Sequence, residues 1–358
     1  MKNDCSFQWD PNSDQTYDLD CSTKLEGHPS QFNKAKGISF TMNAPGQTLT
    51  LQVTDIASQR DVFTQWEGDF DPQKAQIDVL AGTVIYDGGR ERGLLTELAL
   101  GAVPAIFAPA LKISGTGNLV IQDVLAVACA GGNKVLSIID VKDVGGFSAE
   151  CQLFTATGAR WTVADQATMS ISIGDLLDIG PANGAGLDEE DLTVLSTPAA
   201  GHSLHWKGGE VGRLWLHGVT GTFASSSRSL IEFPLIDLNA TVLTMRDRAS
   251  VSIRTDKIAF EDGSEIVIQN NAGLTFQSYS GKPVFDPSDG TSFDGAINFD
   301  TSTGPNAGVV VITDISLDGA KRLVEKGLFA VDDQTQHDVS RIAFSYSPTK
   351  GYALYQLK

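Results

Sequence analysis

From about Gly37 onward the chain alternates apolar and polar residues in short runs broken by Gly, Asn, Asp and Pro. The runs T-L-T-L-Q-V, A-Q-I-D-V-L, N-L-V-I-Q-D-V, V-L-S-I-I-D-V, T-M-S-I-S-I, A-S-V-S-I-R, S-E-I-V-I-Q and L-T-F-Q-S-Y all carry this period of two. Such a period puts successive side chains on opposite faces of a strand. An all-β chain is therefore predicted, with short helices only at Leu94 to Leu100 and at Asp318 to Gly327. The strands follow one another too closely for βαβ crossovers. Two architectures fit: a parallel β-solenoid (β-helix) whose coils stack at the sheet spacing of about 4.8 Å, or stacked antiparallel β-sandwiches. Strand density favours a solenoid body over residues 112–300, preceded by an irregular β-rich cap over 1–90 and an apolar short helix and loop over 91–111. Residues 301–358 then form a C-terminal β cap with one short helix.

Composition supports this picture. Glycine is abundant at 36 of 358 residues and charged residues make up only 20%, which is the balance of many short strands and many turns. The formal charge of −18 is spread along the chain, so nucleic acid and other polyphosphates are repelled. In the most basic stretch, R-D-R-A-S-V-S-I-R-T-D-K from Arg246 to Lys257, strand alternation would set Arg246, Arg248 and Arg254 on one solvated face. The apolar stretch from Gly93 to Ile113 is interrupted by Glu97, Pro104 and Pro109, so no membrane insertion is expected. The start M-K-N-D-C-S-F-Q-W has no apolar h-region; either the protein is not Sec-exported or a leader lies outside this sequence.

Four cysteines fall into two couples, Cys5 with Cys21 and Cys129 with Cys151. Each couple is a disulfide candidate, and four buried thiols are the alternative. Cys129 and Cys151 are 22 residues apart, a plausible coil length that would set one above the other.

Three sets of residues carry candidate chemistry. I-N-F-D-T-S-T-G, ending at Gly304, resembles the aspartic-peptidase signature, but Ser302 stands where that signature has glycine. A second Asp enters a Gly-Pro loop at L-L-D-I-G-P, making Asp178 the expected partner of Asp300. Such peptidases need two carboxyls sharing one proton. In the plainer reading both loops are ordinary turns, with Asp accepting backbone N–H groups. The second set is G-H-S-L-H-W-K-G-G-E-V-G-R-L-W-L-H-G from Gly201 to Gly218. Read as two strands around Gly208 and Gly209, it directs Leu204 and Trp206 one way and His205 and Lys207 the other. An exposed Trp215 flanked by His205 and His217, with Trp206 nearby, would stack on sugar rings. His202 and His205 would face opposite ways on a strand, and no H-E-x-x-H is present, so neither a metal nor another cofactor is expected. Third, Asp-rich turns at Asp10 to Asp14, Gly68 to Asp71 and Asp286 to Gly295 match neither calcium-loop register. The G-x-S-x-G elbow, the P-loop and the blocks of solenoid polygalacturonases are also missing.

The stretch G-I-S-F-T-M-N-A-P-G-Q-T-L-T-L-Q-V at Gly37 to Val53 resembles coils of autotransporter-passenger-like β-solenoid proteins. G-A-I-N-F-D, G-V-V-V-I-T-D-I-S-L-D-G and the closing G-Y-A-L-Y-Q-L-K share the resemblance. It implies a secreted or surface-displayed solenoid, extracellular or at the cell surface, of a kind that includes adhesins and host-directed proteases. A glycan or glycoprotein such as mucin is the implied partner. The readings carried forward are a glycan-binding or glycan-processing solenoid, an acid peptidase acting on glycoproteins, and a phage tail-spike module, with the oligomeric state open.

Overall fold

The computed structural model describes residues 15–18, 39–52, 76–89, 97–100, 110–130, 137–180, 190–196, 203–287 and 292–358. Cys5, Cys21, His202 and the Asp-rich turns at Asp10 to Asp14 and Gly68 to Asp71 lie outside them. Among the described residues the chain is almost all β, mostly in parallel pairs, with one helix. It divides into two compact units, Met1–Glu190 and Asp191–Lys358.

The first unit is built from long strands. Ser39–Gln52, Gln76–Asp87, Ala110–Ala130, Gly146–Thr157 and Thr168–Gly180 pair in parallel in that order. Because each strand alternates, every second residue faces inward and meets the inward residue of its neighbour. Leu49, Val84, Leu119, Phe147 and Met169 form one such buried row, and Met42, Val79, Ile113, Val141 and Val163 another. Register shifts recur between Val79 and Ala81, Ile121 and Val124, and Cys151 and Leu153. These are bulges, where the strand bends.

Two expectations change in this unit. Glu97–Leu100, expected in a helix, is a strand paired to Ala126–Cys129. A short apolar run is ambiguous between the two states, and the available ladder partner decides it. Cys129 and Cys151 lie on adjacent strands but are not opposite each other: Cys129 pairs with Ala156, and the buried Cys151 with Val124. The offset of about five residues is roughly 16 Å at the strand rise, more than twice the Cα separation a disulfide spans.

The second unit begins with short strands at a tight period. Leu204–Gly208, Arg228–Glu232, Ser250–Thr255 and Gly273–Ser278 pair in parallel. So do Arg213–His217, Leu235–Asn239 and Lys257–Glu261, and likewise Val219–Ser225, Val242–Met245, Glu265–Gln269, Ile297–Asp300 and Phe329–Val331. Bonded partners in consecutive repeats are 22 or 23 residues apart over most of this stretch. Phe223, Met245, Ile268, Phe299 and Val331 make one fully buried row.

The corners repeat as well. Ser225, Asp247 and Asn270 hold equivalent turn positions with φ of 59, 62 and 55°. The Asp247 carboxylate accepts the Ser225 N–H at 3.3 Å and the Asn270 side-chain amide at 3.3 Å. Asn and Asp tolerate this left-handed conformation best among residues with a side chain, and here they also tie one turn to the next. Arg246 and Arg248 flank Asp247 in this turn; only Arg254 of the basic stretch lies on the strand. The positive φ at Asp247 turns the chain and breaks the alternation that would have aligned the three.

The expected C-terminal helix forms over Leu317–Glu325. The Ser316 hydroxyl caps it by accepting the Gly319 N–H at 3.0 Å. Gly327, at φ 74°, ends it in the left-handed conformation that glycine adopts without strain. Its buried face is Ala320, Leu323 and Val324, and the Tyr355 hydroxyl donates to the Ala320 carbonyl at 3.0 Å. Beyond it, Tyr352–Leu357 pairs antiparallel to both Val309–Thr313 and Ile342–Ser347, covering an edge that would otherwise be open to pairing.

Candidate functional site: an acidic cleft beside Asp300

In the last repeats the spacing lengthens. Gln269 and Asp300 are 31 residues apart, as are Thr301 and Asp332. The added chain lies between Ser278 and Ile297, in the loop after Asp300 and in the segment leading to the two-residue hairpin at Asp332 and Asp333. Both hairpin residues have positive φ, 50 and 62°, as a type I′ turn requires. Between these additions is an open cleft of about 440 Å³, lined by Thr244, Glu265, Val267, Gln269, Asn298, Asp300, Thr301, Ser302, Asp332 and Asp333.

Local register places these side chains. Gln269 lies opposite Asp300, and Phe299 opposite Val331, so Gln269, Asp300 and Asp332 follow one another on one outward column. Thr244, Val267 and Asn298 form the adjoining column. The Asp300 carboxylate accepts the Ser302 N–H at 2.7 Å, the Ser302 hydroxyl at 3.0 Å and the Gln269 amide at 2.6 Å. Burial alone would raise its pKa, but those donors outweigh burial and the nearby Asp332 charge and hold it below the ordinary value. Asp332 is likewise held low, chiefly by the Thr301 N–H and hydroxyl, each at 2.8 Å, with Arg341 adding a contact at 3.2 Å.

Glu265 is displaced the other way. Burial raises its pKa, and the charges of Asp333 and Asp300 raise it further against one opposing hydrogen bond from Asn298. That amide, only 2% exposed, spans Asp333 at 2.5 Å and Glu265 at 3.4 Å. One cleft thus holds a carboxyl biased toward its protonated form beside one held as an anion. Among the described residues, no three His, Cys, Asp or Glu side chains converge to hold a metal ion.

The other candidates lie on other strands. Asp178 lies on Thr168–Gly180 in the first unit, opposite Thr155, while Asp300 belongs to the second. Asp300 instead has Asp332 and Glu265 as acidic neighbours, and its Asp-Thr-Ser turn takes the backbone-bonded form of the plainer expectation. His205 pairs with Glu232 at 2.9 Å, which also meets Arg254 at 3.4 Å. Trp206 is fully buried, so it offers no surface to a ligand. Trp215 is half-buried; the His217 ring stacks on it at 4.5 Å and the Arg213 guanidinium lies 5.7 Å from its centroid. Its neighbours on the strand therefore occupy much of the flat surface expected to meet sugar.

Glu265, Gln269, Asn298, Asp332 and Asp333 were not among the sequence candidates. The signal for them is the near-repeat I-V-I-Q, I-N-F-D and F-A-V-D, which, aligned on its inward residues, stacks Gln269, Asp300 and Asp332. No protein-family model, curated protein or solved structure matches the chain.

Proposed function

We propose that the protein is a parallel β-solenoid, extracellular or at the cell surface, that binds or processes glycans through the cleft beside Asp300. The solenoid reading is supported by the parallel ladders, the 22-residue recurrence and the inward rows within each unit. The cleft carries the functional reading. It combines acceptors (Glu265, Asp300, Asp332, Asp333) with groups that also donate (Thr244, Gln269, Asn298, Ser302) over the apolar Val267. Sugar hydroxyls donate and accept, and ring C–H groups need apolar contact, so this mixture suits a neutral carbohydrate. The acidic lining disfavours an anion bound in the cleft itself.

The opposed biases of Glu265 and Asp300 fit the processing form of this reading. Glycoside hydrolysis uses a protonated carboxyl to protonate the leaving oxygen and an ionised one as base or nucleophile. The acid-peptidase reading gains nothing from Asp300 with Asp332, because both are held low, whereas a shared-proton pair needs one raised.

The test is a glycan array followed by calorimetry on wild type, Asp300→Asn, Gln269→Ala and Trp215→Ala. The first two variants should weaken the selected glycan at least about 10-fold, and Trp215→Ala should leave it unchanged. Retained affinity in both cleft variants would overturn the reading. If the glycan is cleaved, Glu265→Gln should abolish turnover while preserving binding.

A further inference from the structure

The basic corner of the second unit is left unused by the cleft. Arg228, Arg246 and Arg248 are all exposed. Among the described residues none of the three side chains meets a carboxylate, whereas Arg213, Arg254 and Arg341 each pair with one. The three belong to one corner of adjoining repeats. The Arg246 N–H donates to the Phe223 carbonyl at 2.9 Å and the Arg248 N–H to the Ser225 carbonyl at 2.7 Å. Arg228 lies opposite Ser250, two residues beyond Arg248. The one acid between them, Asp247, has its carboxylate committed to Ser225 and Asn270. Glu232, on the strand of Arg228, is likewise engaged with His205 and Arg254. The surrounding Ser226, Ser250, Asn271 and Gly273 carry no charge, and nothing lies within 4 Å of the position a Gly273 side chain would take.

We propose that Arg228, Arg246 and Arg248 form a subsite for a sulfate ester carried by the glycan, a reading that rests on glycan engagement at the cleft. Position links the two: Arg246 directly follows Met245, whose register partner Ile268 precedes Gln269, so Arg246 continues the column of Gln269 and Asp300. Charge decides the ligand class. At physiological salt, interactions fade beyond about 8 Å, so a single anionic group at the corner is governed by the three arginines, opposed by Asp247, more than by the distant acidic surface. A polyanion would extend past that range and be repelled by the −18 total. Guanidinium forks bind oxyanions through charge-assisted hydrogen bonds, and a sulfate ester offers three terminal oxygens to three arginines where a carboxylate offers two.

The test uses the full chain with N-acetylglucosamine 6-sulfate, unsubstituted N-acetylglucosamine, a sialylated sugar and inorganic sulfate, comparing wild type with R246Q/R248Q and R228Q. Calorimetry should show the sulfated sugar binding about 10-fold more tightly than the plain one. This preference should shrink with added salt and disappear in R246Q/R248Q. In arginine Nε–H NMR spectra, inorganic sulfate should shift the resonances of these three residues. Equal affinity for plain and sulfated sugar, a preference that survives the double variant, or a stronger preference for the sialylated sugar would each overturn the proposal. The two readings fail separately. Plain sugar bound through Asp300 with no gain from sulfate removes the subsite alone; sulfate shifts without any sugar binding remove the cleft reading and leave an anion site.

Discussion

Two stretches of the second unit use the same inward rows for different ends. From Val219 to Ser278 the ladder recurs at 22 or 23 residues, and its ion pairs join register neighbours, as Glu232 meets His205 and Arg254, while Arg228, Arg246 and Arg248 meet no carboxylate among the described residues. From Ser292 to Thr335 the spacing stretches to 31 residues, and the outward column becomes Gln269, Asp300 and Asp332 with Glu265 and Asp333 beside it. The regular stretch carries charges of both signs on its outward face; the interrupted stretch crowds acids around a cleft. Like charges crowded together cost stability, so the gathering of acids where the repeat is broken marks that region as the functional one.

Substitutions at four positions would break or sharpen this contrast. The largest effect is expected for Phe299→Ala, which empties the buried row beneath the cleft, where Phe299 lies 6.1 Å from Phe329. A loss of about 3–5 kcal/mol is expected in denaturant unfolding, with the cleft failing along with the row. If the cleft stood intact, the two would be independent. Next is Asp247→Ala in the regular stretch. It removes two turn-to-turn bonds and puts alanine at a φ of 62°, for a cost of about 1–3 kcal/mol. Asp247→Gly should cost less because glycine adopts that conformation freely. Amide exchange at Ser225 reports the loss directly.

The smallest effects are a matched pair with opposite signs. The pKa of Glu232 is held low: burial would raise it, but hydrogen bonds and charge from His205 and Arg254 prevail. Its contribution is therefore present above its ordinary value and lost as pH falls through the lower folded value. Glu232→Gln should be less stable than wild type at neutral pH and converge with it in acid. Glu265 is held high, so stability falls as pH rises through its folded value. Glu265→Gln should match wild type in acid and be the more stable at neutral pH. Unfolding midpoints measured across pH distinguish the two; the same sign for both would remove the contrast between the stretches.

Much of this was legible in the sequence. A two-residue alternation admits little besides strands, so T-M-S-I-S-I, S-E-I-V-I-Q and L-T-F-Q-S-Y all appear as strands, and the Ser-capped run after Ile315 appears as the helix. The faces of Leu204 to Lys207 followed as well, since alternation is local. Asp300 was visible as an acid entering a turn, and it lies in the cleft.

Sequence alone determined the all-β character, the acidic charge and the inward residues, because these depend on local period and composition. Tertiary structure decided what needs distant partners: Glu97–Leu100 became a strand when a ladder formed beside it, and Cys129 passed Cys151 because their adjacent strands pair at an offset of 27 residues rather than 22. It also decided which acids meet Asp300. Glu265, Asp332 and Asp333 share its cleft, because register across a repeat of 31 residues is set by how the inward rows pack. No local pattern carries that information.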